Sequence, residues 1–124
     1  MILNLSDLSD EPLQGQIYRQ IRAMILANEL DPGTMLPSIR GLAKEQKVSV
    51  VTVQRGYELL EREGLLVSRR GKGFFVSEVL NNTKKELAQK HLTEKIAPIF
   101  KIAQDEGLSR KEIEETVNKL LNEE

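Results

Sequence analysis

Apolar residues recur at helical spacing through the first half of the chain. Leu13, Ile17, Ile21, Met24 and Ile25 line one side of a helix predicted to start at Asp10-Glu11-Pro12 and to end before Asp31-Pro32-Gly33. Acids and a proline suit a helix N-terminus, and Asp-Pro-Gly is a strong turn signal. Pro37 then forces an extended approach, and Ser38 caps a short helix to about Gln46 with Ile39, Leu42 and Ala43 inward. Ser49 is the next N-cap after a few connecting residues. It opens a third helix from Val50 to Glu63, with Val53, Tyr57 and Leu60 inward, Leu59 at the border and Gly64 as its stop. Tyr57 thus reads as a core aromatic.

The period then changes. Leu65-Leu66-Val67 and Phe74-Phe75-Val76 are short β-type runs on either side of Ser68-Arg69-Arg70-Gly71-Lys72-Gly73, which predicts a hairpin with a basic tip. Asn81-Asn82 marks a break. Thr83 with Glu86, and Ser109 with Glu112, have capping-box spacing. They predict two more helices, about Lys84 to Asp105 and Arg110 to Asn122, the first kinked or split at Pro98.

Composition narrows the chemistry. The chain has 124 residues, which suits one domain or a small domain with an appendage. With no Cys there are no disulfides, thiolate nucleophiles or Cys-ligated zinc. The single His, His91, reads as a surface or dimer-face residue rather than a metal ligand. No run approaches the ~20 apolar residues of a membrane span, and the acidic N-terminus does not read as a signal peptide, so the expected location is cytoplasmic. Carboxylates are scattered with no nucleophile–base pair, which predicts no catalytic residues, no metal and no cofactor.

The net charge of −1 hides an asymmetry. Residues 1–33 carry −3 and residues 77–124 carry −2. Residues 34–76 carry +4, a basic block that suggests a polyanion partner.

Two helices joined by a tight turn and followed by a basic hairpin spell a winged helix-turn-helix. The expected fold class is mainly α: three helices plus a β-hairpin wing over residues 1–77, then a two-helix C-terminal dimerisation arm over residues 78–124. In such a module the second helix of the pair enters the major groove of double-stranded DNA, and the basic wing adds charge against the backbone or an adjacent groove. The groove helix would present Ser49, Thr52, Gln54 and Arg55. Arg40 and Lys44 would face the backbone. Arg69, Arg70 and Lys72 would form the wing contacts, with Gly71 and Gly73 allowing close approach.

Gly33-Thr34-Met35-Leu36-Pro37-Ser38-Ile39-Arg40-Gly41-Leu42-Ala43 resembles the start of the DNA-binding domain of GntR-type bacterial transcription regulators. Val48-Ser49, Thr52-Val53, Tyr57-Glu58-Leu59-Leu60-Glu61, Glu63-Gly64-Leu65 and Arg70-Gly71-Lys72-Gly73-Phe74-Phe75-Val76 continue the likeness over about residues 10–77. The resemblance implies that Arg40 contacts phosphate or base, and that Ser49 and Thr52 supply hydroxyls at the start of the recognition helix. It also implies that Gln54 and Arg55 face outward and that Gly71 and Gly73 sit in a wing reaching the minor groove. Val50-Val51 departs from the pattern, because members often carry a polar residue there. Two valines either touch thymine methyls or simply pack.

About 47 residues follow the wing, too few to enclose a metabolite pocket easily. Leu87, Leu92, Ile96, Ile99, Phe100 and Ala103, with Ile113, Val117, Leu120 and Leu121, offer an apolar surface that one monomer would cover poorly, which predicts a two-fold homodimer. The short tail resembles the YtrA-like subgroup of the family. That implies a small repressor acting on a pseudo-palindromic operator, often of a transporter operon, with any small-molecule effector unknown. Two other readings fit the same pattern: a winged-helix protein-interaction module, and a regulator with a small-ligand pocket at the dimer interface.

Overall fold

In the computed structural model, residues 1–123 are described. The elements run α1 (Leu13–Leu26), α2 (Ile39–Gln46), α3 (Val50–Arg62), β1 (Leu66–Arg69), β2 (Gly73–Val76), α4 (Asn81–Asp105) and α5 (Arg110–Leu121). Five helices and one two-stranded antiparallel sheet make a mainly α winged-helix protein. The chain forms two compact units, Met1–Lys84 and Lys85–Glu124.

In the first unit α3 is the hub, packed against α1, α2 and β1. Its residues Val53, Tyr57 and Leu60 are fully buried with Ile17, Ile21 and Ile25 of α1, Leu42 of α2, and Leu65. At Gly56, α3 lies close against α1. A Cβ there would stand 2.8 Å from Ile17 Cγ2 and 3.3 Å from the Gln14 carbonyl oxygen, so a larger residue forces the core apart. Glu63, at the end of α3, accepts from Tyr18 Oη at 2.9 Å and pairs with Arg22 Nε at 2.9 Å, tying that end to α1. Tyr57 Oη donates to the Pro37 carbonyl at 2.8 Å, and the ring meets Phe74 edge-on at 5.2 Å. One aromatic residue thereby joins α3, the entry to α2 and the hairpin.

The hairpin pairs Leu66 with Val76 through Arg69 with Gly73. The strands are offset from the apolar runs, so Ser68, Arg69 and Gly73 belong to the ladder and only Arg70-Gly71-Lys72 form the tip. On its other edge, β2 pairs with the segment before α2. Gly33 N–H reaches Val76 O at 2.8 Å, Val76 N–H reaches Thr34 O at 2.9 Å, and Leu36 N–H reaches Phe74 O at 2.9 Å. No alternation in the sequence announces this extra edge, because Pro32 and Gly33 precede it and Pro37 ends it.

The N-terminal segment is also held. Gln20 exchanges hydrogen bonds with the backbone of Asn4 at 2.8 and 2.7 Å. One turn earlier the buried Gln16 does the same for Ser6, both at 2.9 Å, and seats Leu3 in the core. Two glutamines four residues apart thus act as a strand edge on a helix. Glu11 lies outside α1 and pairs with Arg19 at 3.0 Å instead of sitting in the first turn.

The expected start of α4 needs correction. The Thr83–Glu86 capping box does not open it, because the helix starts at Asn81 and Thr83 lies inside its first turn, where Lys84 N–H already bonds the Leu80 carbonyl at 3.0 Å. Pro98 does not split it, and α4 runs through the proline to Asp105. The loss of one N–H is tolerated where a full turn of hydrogen bonds stands on either side. At α5 the Ser109–Glu112 capping box is formed in both directions, and hydrogen bonds from the Ser109 backbone and hydroxyl hold the Glu112 carboxyl below its usual range. Among the described residues, no side chain from 85 onward is buried, and no helix is long and apolar enough to cross a membrane.

Two outcomes follow from the α1–α3 core. Gly56→Ala loses stability in urea unfolding, because overpacking costs about 1–3 kcal/mol against the ~1 kcal/mol that Ala regains over Gly in a helix. Burial pushes the Tyr57 phenol well above its ordinary value, with the Glu45 carboxylate adding to the effect, and burial and Glu63 raise Tyr18. Raised folded values mean that this stability is whole below the unfolded phenol pKa of about 10 and is lost as pH rises past it. Unfolding free energy should therefore fall above that pH. Tyr57→Phe should flatten the fall while costing about 1 kcal/mol at neutral pH through the orphaned Pro37 carbonyl.

Candidate nucleic-acid interface

The helix-turn-helix is closed by three residues. Lys47 takes a left-handed conformation (φ 58°) after α2, and Val48 N–H bonds the Ala43 carbonyl at 3.0 Å. Ser49 then caps α3, its Oγ accepting from Thr52 N–H at 3.1 Å and lying 2.8 Å from Thr52 Oγ1. The two hydroxyls expected at the start of the recognition helix are thus brought together and share a local hydrogen bond.

With Val53, Gly56, Tyr57 and Leu60 turned inward, the opposite face of α3 carries Val51, Gln54, Arg55 and Glu58, with Val50 at its border, all exposed. Gln54 and Arg55 stand one turn beyond Val50 and Val51, so the four form a contiguous patch at the helix entry. Gln54 Nε2 donates to Glu58 Oε1 at 3.0 Å. The valines do not pack into the core: Val50 is 39% and Val51 53% exposed. Glu58 belongs to this face and was not singled out in the sequence, although its spacing of four from Gln54 is a readable signal.

Arg40 and Lys44 lie four apart on α2, both exposed, after the Ser38 cap that accepts from Gly41 N–H at 3.0 Å. In the wing, Arg69 stands in β1 with its guanidinium 4.8 Å from the centre of the Phe75 ring. Lys72 N–H closes the turn on the Arg69 carbonyl at 2.9 Å. Gly71 and Gly73 adopt φ of 72° and 110°, values that a side chain rarely permits. Arg70 and Lys72 project from the tip, exposed.

The charge pattern separates this block from the rest. Among the described residues none of its eight cations (Arg40, Lys44, Lys47, Arg55, Arg62, Arg69, Arg70 and Lys72) forms an ion pair. The acids of the block are more engaged. Glu61 accepts from Ser68 Oγ at 2.6 Å, Glu63 holds Tyr18 and Arg22, and Glu58 takes Gln54. A structural ion-pair role for Arg40 is thereby removed. No group of acids and histidines that could hold a metal occurs among the described residues, and His91 is exposed.

Removing the α3 cap tests how firmly the helix entry is set. Ser49→Ala should lower stability by about 1 kcal/mol, whereas Ser49→Gly should cost only a few tenths, both read from urea midpoints at constant slope.

The geometry agrees with known proteins. The family model "Bacterial regulatory proteins, gntR family" matches residues 13–76. The uncharacterized regulator YhcF of Bacillus subtilis is 36% identical over 109 residues, 88% of this chain and 89% of that protein. The transcriptional repressor YtrA of the same organism is 28% identical over 119 residues, covering 96% and 92%. A GntR family transcriptional regulator from Listeria monocytogenes superposes with a TM-score of 0.73 at 25% identity, covering 93% of this chain and 98% of that one. Matched through its winged helix by the family model and along nearly its whole length by these relatives, the protein belongs to the GntR family, as a YtrA-like, DNA-binding transcriptional regulator and not an enzyme.

Proposed function

We propose that the protein is a homodimeric repressor that reads a pseudo-palindromic operator in double-stranded DNA, within the cytoplasm. Residues 1–77 are the reading head and 78–124 the dimerisation region. The observation that carries this reading is that, among the described residues, none of the eight cations between residues 34 and 76 forms an ion pair. Exposed cations left free of carboxylates are available to phosphates, and each phosphate contact releases counterions. Arg40 and Lys44 approach the backbone from α2. Ser49 and Thr52 meet phosphate or base at the α3 entry, and Gln54 and Arg55 read base edges. Arg69, Arg70 and Lys72 embrace the flanking groove, with Gly71 and Gly73 bringing the backbone close.

The second unit supports the dimer. Leu92, Ile99, Ile102, Leu120 and Leu121 are all more than half exposed, and from residue 85 onward no side chain is buried among the described residues. An apolar surface of that kind is suited to the same surface of a second copy. The two heads would then meet half-sites about one helical turn, ~10 bp, apart or a near multiple of that. The name of the YtrA repressor of Bacillus subtilis favours repression over activation. A transporter operon is the proposed target.

Selection from a random duplex pool, followed by anisotropy titration of the selected site, tests the reading. Affinity should fall steeply with salt. Arg55→Ala should cost about 1–3 kcal/mol and relax the sequence preference. Arg70→Ala with Lys72→Ala should weaken all sequences alike and flatten the salt slope by roughly one unit per lost phosphate contact. Failure to select any sequence, with salt-insensitive residual binding, contradicts the proposal.

A further inference from the structure

Val50 and Val51 serve no structural purpose that the fold explains. The core stripe of α3 is complete without them, and they stand 39% and 53% exposed at the first two positions of the helix. β-branched residues are poor helix formers at exposed sites, and their methyls are hydrated there at a cost. Val51 shares the outward face with Gln54 and Arg55 one turn later, Val50 stands at its border, and no acid lies in the first turn.

We infer that Val50 and Val51 are specificity-determining residues that read the 5-methyl groups of thymines in the major groove. The inference rests on the proposed operator binding and adds to it the base class met by the helix entry. The major-groove edges of the four bases offer hydrogen-bonding groups and one apolar group, the thymine methyl. A valine donates and accepts no side-chain hydrogen bond, so it gains only where that methyl replaces water. Two successive residues lie 1.5 Å apart along the axis and about 100° around it, which directs them at neighbouring base pairs. Arg55, one turn further in, is suited to the O6 and N7 atoms of a guanine. Each half-site therefore combines adjoining thymines, under the helix entry, with a guanine.

The test uses the full-length protein and the duplex selected above. Each thymidine is replaced singly by deoxyuridine, which removes one methyl and leaves every hydrogen-bonding group in place. At one or two positions per half-site affinity should drop about fourfold, the equivalent of ~0.8 kcal/mol for one buried methyl-sized group. Val50→Ala and Val51→Ala, both at exposed sites and checked for native unfolding midpoints, should each bind the thymidine and deoxyuridine duplexes equally at its own position. Selective binding that is indifferent to every exchange would overturn the inference and leave the operator reading intact. So would deoxyuridine sensitivity that persists in both variants, since the methyl would then be sensed elsewhere. Absence of any selective binding by the unaltered protein would overturn both readings.

Discussion

The contact between α1 and α3 at Gly56 governs the arrangement of the reading head. With Ile17 Cγ2 2.8 Å from where a Cβ would stand, α3 is held against α1 along the face of Val53, Gly56, Tyr57 and Leu60. A helix has only one opposite face, so this contact also decides which residues look outward. Val50, Val51, Gln54 and Arg55 are presented because their neighbours are committed to the core. The Glu63 link to Tyr18 and Arg22 fixes the far end of α3, and Tyr57 on the Pro37 carbonyl fixes α2 and the wing to its middle. A rotation of α3 about its axis would break all of these at once.

Electrostatics then distinguishes scaffold from surface. The first helix spends its two arginines on Glu11 and Glu63, and the second unit pairs Lys101 with Asp105 and Arg110 with Glu114. The exposed pairs are worth little, whereas Arg22–Glu63 is partly buried and joined by a phenol. Between these paired regions, residues 34–76 keep their cations out of ion pairs among the described residues and tie up much of their negative charge internally. A chain of net charge −1 thereby presents a positive module.

Much of this was legible in the sequence, for local reasons. Ser38, Ser49 and Ser109 are caps whose short-range chemistry acts as their spacing predicts. The stripe of Val53, Tyr57 and Leu60 follows from helical periodicity, and Gly71 and Gly73 occupy the positive φ expected of a tight wing. Non-local partners were not legible. The pairing of residues 33–36 with β2 rests on backbone groups that carry no side-chain signature, and the hold of Gln16 and Gln20 on the N-terminal segment joins residues 10 and 16 apart. Thr83 misled because the Leu80 carbonyl could start the helix a turn earlier. For the interface, residue types were readable but availability was not. That Arg40 is unpaired and that the two valines are exposed emerges only from three-dimensional packing.

The proposed interface sets the outward face of α3 and the wing tip together on DNA. Amide chemical-shift mapping by NMR, with a selected duplex titrated into the protein, addresses it residue by residue. The largest perturbations should fall at Ser49–Arg55 and at Arg70–Gly73, with smaller ones at Arg40 and Lys44. The α1 core amides around Ile17 and Ile21 should stay nearly unmoved. Perturbations that spare α3 and cluster on the acidic N-terminal segment or on α5 would contradict it.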